Sequence, residues 1–327
     1  MPPHNTKETW LQFDKLGNID LALLYLQCSP ELVRDVLSSP EKHYEPLHVK
    51  RRRSSRKPRL VYKTCGDLRR LHRSIALGLA PHVQALSSVI QGFRDGYNIV
   101  TNASMHCGQA ELVTVDIHDF FGSITTRQVQ GLFEKLGAPF HVALMLARIC
   151  TLNNSLPQGG RASPAIANLV TLSLDETILE SFPDVKYSRY VDDLAFSGNK
   201  CPSEAQIQSV LTLHGFKLKK SSFKRTTSGN GQYVTGLNVD GLRPKAPRRE
   251  RRNIQRALHV GNQYSLEHHY ISLHKRPPTP SELQSYAASL LGKISSYGCV
   301  DIELYKCWRS QFNSMTMRTT PQQDLLA

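Results

Sequence analysis

An α+β fold built around an antiparallel sheet is what this sequence predicts, and three patterns predict it. Residues 187–197 (Tyr-Ser-Arg-Tyr-Val-Asp-Asp-Leu-Ala-Phe-Ser) form two alternating runs rich in aromatic and β-branched residues. The runs read as strands joined by a tight hairpin turn, where Asp192 and Asp193 fall. Ala110–Ile117 alternates in the same way and reads as a buried strand ending at Asp116. Between and around these strands, apolar residues recur at helical spacing, as at Leu68, Leu71, Ile75, Leu79, Val83 and Leu86.

In chain order, residues 1–45 read as helical, and Ser29-Pro30-Glu31 marks a helix start. Ser serves as N-cap, Pro fits the first helical position, and an acid follows in the first turn. A basic run over 49–59 leads into a strand at Leu60-Val61-Tyr62, and a helix follows over 67–90. Thr126–Leu136, Pro139–Cys150 and 164–180 read as helices; Ser163-Pro164 opens the last of them. After the hairpin come a helix from 203 to 214 and a strand pair within 216–239. Beyond Pro244 the composition turns basic, and residues 247–260 read as a helix. Thr279-Pro280-Ser281-Glu282 is a capping box opening a helix with an apolar stripe at 283, 286, 287, 290, 291 and 294. The expected organisation is an N-terminal helical segment at 1–45, a central region at 46–240, a basic domain at 241–320 and a short tail at 321–327. The main boundary is expected near 240–246.

With 327 residues, 40% of them hydrophobic, the chain is long enough to bury a core in two or three domains. Its net charge of +14 suits a polyanionic partner. The charge is clustered: seven cations and no anion lie in 49–59, and six cations with one anion in 245–256. No run approaches the ~18 apolar residues of a membrane span, and no secretory signal is visible. The seven cysteines are scattered with no CxxC pair, which argues against a zinc site or a disulfide framework and fits a reduced compartment. His268-His269 is read as a solvated helix face rather than a ligand pair.

Two adjacent carboxylates at a turn are costly without a cation, and Mg²⁺ takes one or two carboxylates together with phosphate oxygens. Taken alone the dipeptide is equally an ordinary Asp-rich turn. Asp116, delivered to the tip of an apolar strand, is the second half of a candidate site. Asp116, Asp192 and Asp193 together suit two Mg²⁺ ions on a triphosphate and two-metal phosphoryl transfer. Asp119 is read as a capping acid where a helix begins. Leu156-Pro157-Gln158-Gly159-Gly160-Arg161-Ala162-Ser163-Pro164 adds a Gly-rich loop before a helix N-terminus. Gly159 permits close backbone approach, and Gln158 offers a donor and an acceptor. A plain connecting loop is the other reading of that stretch.

The order Asp116-x-x-x-Phe120-Phe121, then Leu156-Pro157-Gln158-Gly159 with Ser163-Pro164, then Tyr190-Val191-Asp192-Asp193 resembles the palm of reverse transcriptases over roughly residues 57–240. The resemblance implies a right-hand polymerase with fingers, an antiparallel-sheet palm and a small, mainly helical thumb. It implies RNA-templated DNA synthesis from dNTPs, with two Mg²⁺ ions (or Mn²⁺ in their place) on Asp116, the Ile117 position, Asp192 and Asp193. It implies that Phe121 is a steric gate against the ribose 2′-hydroxyl. Lys57 and Arg59 then match the basic finger positions that clamp a triphosphate, with Arg56 a near alternative, beside Gln158 and Gly159.

Two further elements resemble those of retron reverse transcriptases: Asn102-Ala103-Ser104-Met105-His106, an Asn-Ala-x-x-His element, and Val234-Thr235-Gly236. The resemblance implies a cognate structured non-coding RNA as template and primer, priming from an RNA 2′-hydroxyl, and a branched RNA–DNA product. It implies anti-phage defence in the bacterial cytoplasm, with a separate effector protein and no membrane partner. Asn102, His106, Val234, Thr235 and Gly236 are expected at the RNA, and Arg248, Arg249, Arg251 and Arg252 on the 247–260 helix are expected to grip an RNA stem. One stretch departs from the family. Where Gly-Phe/Leu-x-x-Asn-x-x-Lys is usual, Gly215-Phe216-Lys217-Leu218-Lys219-Lys220-Ser221-Ser222 has Lys219 at the Asn position and Ser222 at the Lys position. Lys220 or Lys224 is a candidate substitute for the missing lysine. Group II intron, diversity-generating and abortive-infection reverse transcriptases are the competing enzymes, and an RNA-binding scaffold with a dead site is the non-enzymatic reading.

Overall fold

The computed structural model describes residues 13–49 and 58–318. After a short 3₁₀ turn at Phe13–Lys15 come α1 (Ile19–Leu26) and α2 (Pro30–Ser38), then a second 3₁₀ turn and the strands β1 (Tyr44–Val49) and β2 (Arg59–Thr64). Next are α3 (Gly66–Gln84), α4 (Ile99–Ser104), β3 (Glu111–Asp116), α5 (Thr126–Lys135) and α6 (Phe140–Cys150). The chain continues through α7 (Ser163–Val170), α8 (Leu172–Ser181), β4 (Lys186–Tyr190), β5 (Asp193–Gly198) and α9 (Glu204–Leu213). Three short strands follow, β6 (Lys224–Thr227), β7 (Tyr233–Val234) and β8 (Leu237–Asn238). The helices α10 (Arg248–Gln263), α11 (Leu266–His274), α12 (Pro280–Ser296) and α13 (Ile302–Arg318) complete the described chain.

Mixed helix and antiparallel sheet is therefore the observed class. Two compact units hold these elements: the described residues within 1–98 and 110–226, and those within 99–109 and 227–327. The expected boundary near 240–246 falls inside the second unit, because β7, β8 and the 99–109 insertion cluster with the C-terminal helices.

In the first unit a four-stranded sheet has the order β4-β5-β3-β6. The β3–β5 and β4–β5 pairs are antiparallel. Leu112, Val113, Val115, Leu194 and Phe196 are buried on these strands, and the core continues through α3, α5, α6 and α7. Ser29 caps α2 by accepting from the Leu32 N–H, as its sequence predicts. The 164–180 stretch is two helices, not one. At the junction the Thr171 hydroxyl donates to the Ala167 carbonyl at 2.7 Å, sharing that acceptor with its own N–H, an arrangement that bends helices. β1 was not expected, because its five residues from Glu45 onward are exposed and carry Pro46, leaving no buried alternation to read. Asp119 caps no helix: α5 begins after Thr125, whose hydroxyl and Gln128 form the capping box.

His72 ties several elements of this unit together from within the core. The Ala162 N–H donates to its Nδ1 at 3.4 Å, so the ring carries its proton on Nε2 and donates to the Ile149 carbonyl at 3.0 Å. Burial lowers its pKa from 6.5 to about 4.

The second unit packs α10, α12 and α13 around Ile254, Leu258, Leu290, Ile294, Trp308 and Phe312. The Thr279 capping box is present as predicted, with Glu282 reaching back to the Thr279 N–H. His269 departs from the solvated face expected for it: it is buried, with Nδ1 2.7 Å from the Tyr286 hydroxyl. His268 is exposed and stacks on Tyr264.

His72 gives a pH prediction. The unfolded chain takes up a proton near pH 6.5, whereas the folded ring stays neutral down to about pH 4. Its contribution is present above the unfolded pKa and is lost as pH falls through this window, by up to about 3 kcal/mol. Urea titrations at pH 7.5 and 4.5 should show a stability loss that His72→Asn reduces.

Candidate active site

The acidic constellation forms at one end of the β3–β5 pair. Asp116 and Asp193 are direct cross-strand partners, and β4 returns Tyr190 opposite Asp193. Only Val191 and Asp192 remain in the loop, and Asp192 accepts a backbone hydrogen bond from Ile117 at 2.9 Å. The sheet register itself thus sets two carboxylates on one face, with a third on the adjoining turn. Val191 has φ +63°, a left-handed conformation at the first loop position that ordinarily selects glycine. A two-residue turn holding a β-branched residue in that region is strained, and its surroundings must impose it.

Those surroundings are a buried polar network. Arg189, fully buried on β4, pairs with Asp175 of α8: Nη2 donates to Oδ2 at 2.7 Å and Nε to Oδ1 at 2.8 Å. Tyr187 donates its hydroxyl to the same carboxylate at 2.7 Å, and Arg189 Nη1 donates to Asn168 Oδ1 at 3.0 Å. Asn168 donates in turn to the Gly92 carbonyl at 2.8 Å. The backbone of residues 89–91 runs along β4 through Arg189 N–H to the Val89 carbonyl and Gln91 N–H to the Arg189 carbonyl, each 2.8 Å. Gly92 then lies under the turn; a Cβ there would sit 2.7 Å from the Val191 nitrogen. Arg94 secures this segment by donating to the carbonyls of Gln84, Leu86, Ser87 and Ile90.

A third segment closes the site. Lys219 N–H donates to the Asp116 carbonyl at 2.9 Å, and His118 N–H to the Lys217 carbonyl at 2.8 Å. The Ser222 hydroxyl accepts from the Asp116 N–H at 3.1 Å and donates to the Asp116 carbonyl at 3.3 Å. The Lys219 ammonium is ion-paired with Asp116 Oδ2, while Asp116 Oδ1 is buried without a hydrogen-bond partner among the described residues. Desolvation by its packed neighbours, then the charges of Asp192 and Asp116, push the Asp193 carboxyl up to about 6; Lys219 and Lys224 pull the other way. Among the described residues no three acidic, His or Cys side chains are drawn together closely enough to hold a metal ion. Three like charges without a cation repel, and Lys219 holds one of them. The strand register and the unpartnered Asp116 oxygen fit a hard cation bound by carboxylates.

Around this centre, Phe121 is half-buried and meets Phe120 edge-on at 5.4 Å between centroids and Phe93 at 6.4 Å. Phe120 packs on Phe216, and the Arg189 guanidinium lies 5.9 Å over its ring. Gln158 is half-buried, and its carbonyl accepts from the Tyr62 N–H at 2.7 Å. Gly159 has φ +105°, and a Cβ there would meet Val61 at 2.5 Å, so its absent side chain lets the loop dock on β2. Arg59 opens β2; Lys57 and Arg56 lie outside the described residues.

The remaining sequence-predicted residues belong to the second unit. Asn102, His106 and Val234 are buried, Asn102 and His106 being only 2% and 0% exposed. Their side chains are packed within the fold. The two short elements meet each other: the Thr235 hydroxyl donates to the Ile99 carbonyl at 3.0 Å, and Gly108 N–H to the Val239 carbonyl at 3.0 Å. Thr235 and Gly236 both have positive φ. On α10, Arg248, Arg249 and Arg252 are exposed, Arg251 is half-buried, and Ile254, Ala257 and Leu258 face the core.

The reverse transcriptase (RNA-dependent DNA polymerase) family model matches residues 49–226, more than half of the chain. The chain belongs to the reverse transcriptase family. As a member it is an RNA-directed DNA polymerase, and its similarity runs to the retron branch. It is 27% identical to the retron Ec86 reverse transcriptase of Escherichia coli, over 73% of this chain and 78% of that protein. It is 29% identical to the retron Mx65 reverse transcriptase of Myxococcus xanthus, over 67% and 56%, respectively. It is 31% identical to the retron Mx162 reverse transcriptase of the same organism, over 51% and 43%. The chain thus spans about half the length of those two Myxococcus relatives.

Sequence reasoning left Lys219, Arg189 and Asp175 outside the site, the first although it was noted. The departure from the family pattern at 219 was the one available signal for the first. Breaking the buried pair should be severe: Asp175→Asn leaves the Arg189 charge without its carboxylate and should cost about 3–5 kcal/mol in urea unfolding.

Proposed function

We propose that this reverse transcriptase is of the retron type. It copies a cognate structured non-coding RNA with dNTPs, primes from a 2′-hydroxyl of that RNA, and leaves single-stranded DNA branched from RNA. The catalytic part of the reading is carried by the opposition of Asp116 and Asp193 across β3–β5, with Asp192 on the two-residue turn, and the retron part by the similarity to retron reverse transcriptases. Asp116, Asp192, Asp193 and the Ile117 carbonyl would hold two divalent ions, Mg²⁺ or Mn²⁺. Bound there, the ions would acidify the attacking hydroxyl and stabilise the departing pyrophosphate.

The chain's own residues do the positioning. The Arg189–Asp175 pair holds the turn, so the carboxylates need little reorganisation when substrate arrives. Phe121, wedged by Phe120 and Phe93, presents a ring against the 2′-hydroxyl of an incoming nucleotide. Gln158 and Gly159 line the nucleotide beside β2, with Lys57 and Arg59 on the triphosphate. The first unit corresponds to fingers and palm, and the second carries the thumb. There Arg248, Arg249, Arg251 and Arg252 meet phosphates of an RNA stem. Asn102, His106 and Val234 act from inside the fold, fixing the shape of the segment that Thr235 and Gly236 present to RNA. No helix among the described residues is long and apolar enough to cross a membrane. The cytoplasm and a role in anti-phage defence beside a separate effector complete the reading.

Asp192→Asn with Asp193→Asn should abolish the branched DNA recovered from cells while leaving affinity for the RNA intact. DNA persisting in that variant would remove these residues from the site. Reversing Arg248, Arg249 and Arg252 to Glu should weaken RNA binding. It should also lower the slope of log affinity against log salt by about one for each phosphate no longer neutralised. An unchanged slope would clear α10 of that role.

A further inference from the structure

Lys219 is placed to do more than line the site. Its backbone N–H is bonded to the Asp116 carbonyl, and Ser222, three residues on, is bonded to both the N–H and the carbonyl of Asp116. The two positions at which this chain departs from the family pattern therefore converge on one residue. The backbone of 219–222 is anchored there, while the Lys219 side chain is partly open to solvent: it is 37% exposed, with Asp116 23% exposed beneath it. Its ammonium takes Asp116 Oδ2 and leaves Oδ1 without a hydrogen-bond partner among the described residues. A carboxylate engaged on one oxygen by an ammonium is a poorer ligand for a divalent ion, since two cations at one anion repel.

We propose that Lys219 is a resident counter-cation of the metal-free enzyme, which neutralises Asp116 and must swing aside before a divalent ion is held there. This rests on the reading of Asp116 as a metal ligand. Lys219 is then a positioning residue that sets the divalent-ion threshold of the site. It offsets the repulsion between Asp116 and Asp193 when no ion is present, and its partly exposed side chain gives the displaced ammonium a route into solvent.

The test is Mn²⁺ binding to the full chain by calorimetry, with no nucleotide present, alongside thermal melting in EDTA. Lys219→Asn should bind Mn²⁺ about fivefold more tightly than wild type, the factor matching the roughly 1 kcal/mol of a partly exposed ion pair. It should also melt at a lower temperature in EDTA. Lys224→Asn removes an equal charge that also acts on Asp193, without breaking the Asp116 pair. It should gain clearly less affinity. Equal gains in the two variants, or none in Lys219→Asn, would overturn the proposal while leaving the metal site standing. Asp116→Asn separates the two failures: if wild type binds Mn²⁺ no better than Asp116→Asn, the metal reading itself is wrong. Should Lys219→Asn fold poorly, Lys219→Gln keeps the stem and answers the same question.

Discussion

The buried ion pair between Arg189 and Asp175 is the interaction on which the catalytic end of this molecule depends. Both groups lie out of solvent, so neither can be left alone without a cost of several kcal/mol. Their mutual geometry is fixed by a forked guanidinium, a tyrosine hydroxyl and an asparagine amide. From that fixed point the constraint runs outward. It locks β4 to α8, and through Asn168 it brings Gly92 under the turn. It holds Val191 in a backbone conformation that valine does not choose. The carboxylates at the surface inherit their positions from this base.

Opposed charges then define the site. Strand register sets Asp116 opposite Asp193; burial first, and then the charges of Asp192 and Asp116, push the Asp193 carboxyl up to about 6. The nearest relief within the chain is Lys219, on a segment stitched to Asp116 by backbone hydrogen bonds. A frame that keeps like charges adjacent at the end of the two inner strands favours a cation there. The cationic helix α10 in the second unit answers a different need. Its charges stand on an exposed face over an apolar stripe and suit an extended polyanion.

Much of this was legible in the sequence. Alternation around Val191–Asp192 and before Asp116 disclosed the strands, since a period of two is visible in a half-buried sheet. Ser29 and Thr279 disclosed their helices through local capping chemistry. What escaped notice depended on partners distant in sequence. Arg189 drew no reading of its own, because its partner lies in α8 and burial is not written in its identity. The junction at Thr171, where a side-chain bond joins the backbone one, is not registered by propensity. β1 exposes nearly every residue, so no periodic signal marks it. Asn102 and His106 were recognised as a motif, yet their burial depends on packing that the motif does not encode.

The central claim is that a rigid set of adjacent carboxylates is held ready for divalent ions. Anomalous diffraction from crystals grown with Mn²⁺ and a dNTP tests it most directly. The account predicts Mn²⁺ peaks coordinated by Asp116, Asp192 and Asp193, with the Lys219 ammonium turned away from Asp116. A well-ordered nucleotide complex with no Mn²⁺ at these aspartates, and Lys219 still paired to Asp116, would contradict it.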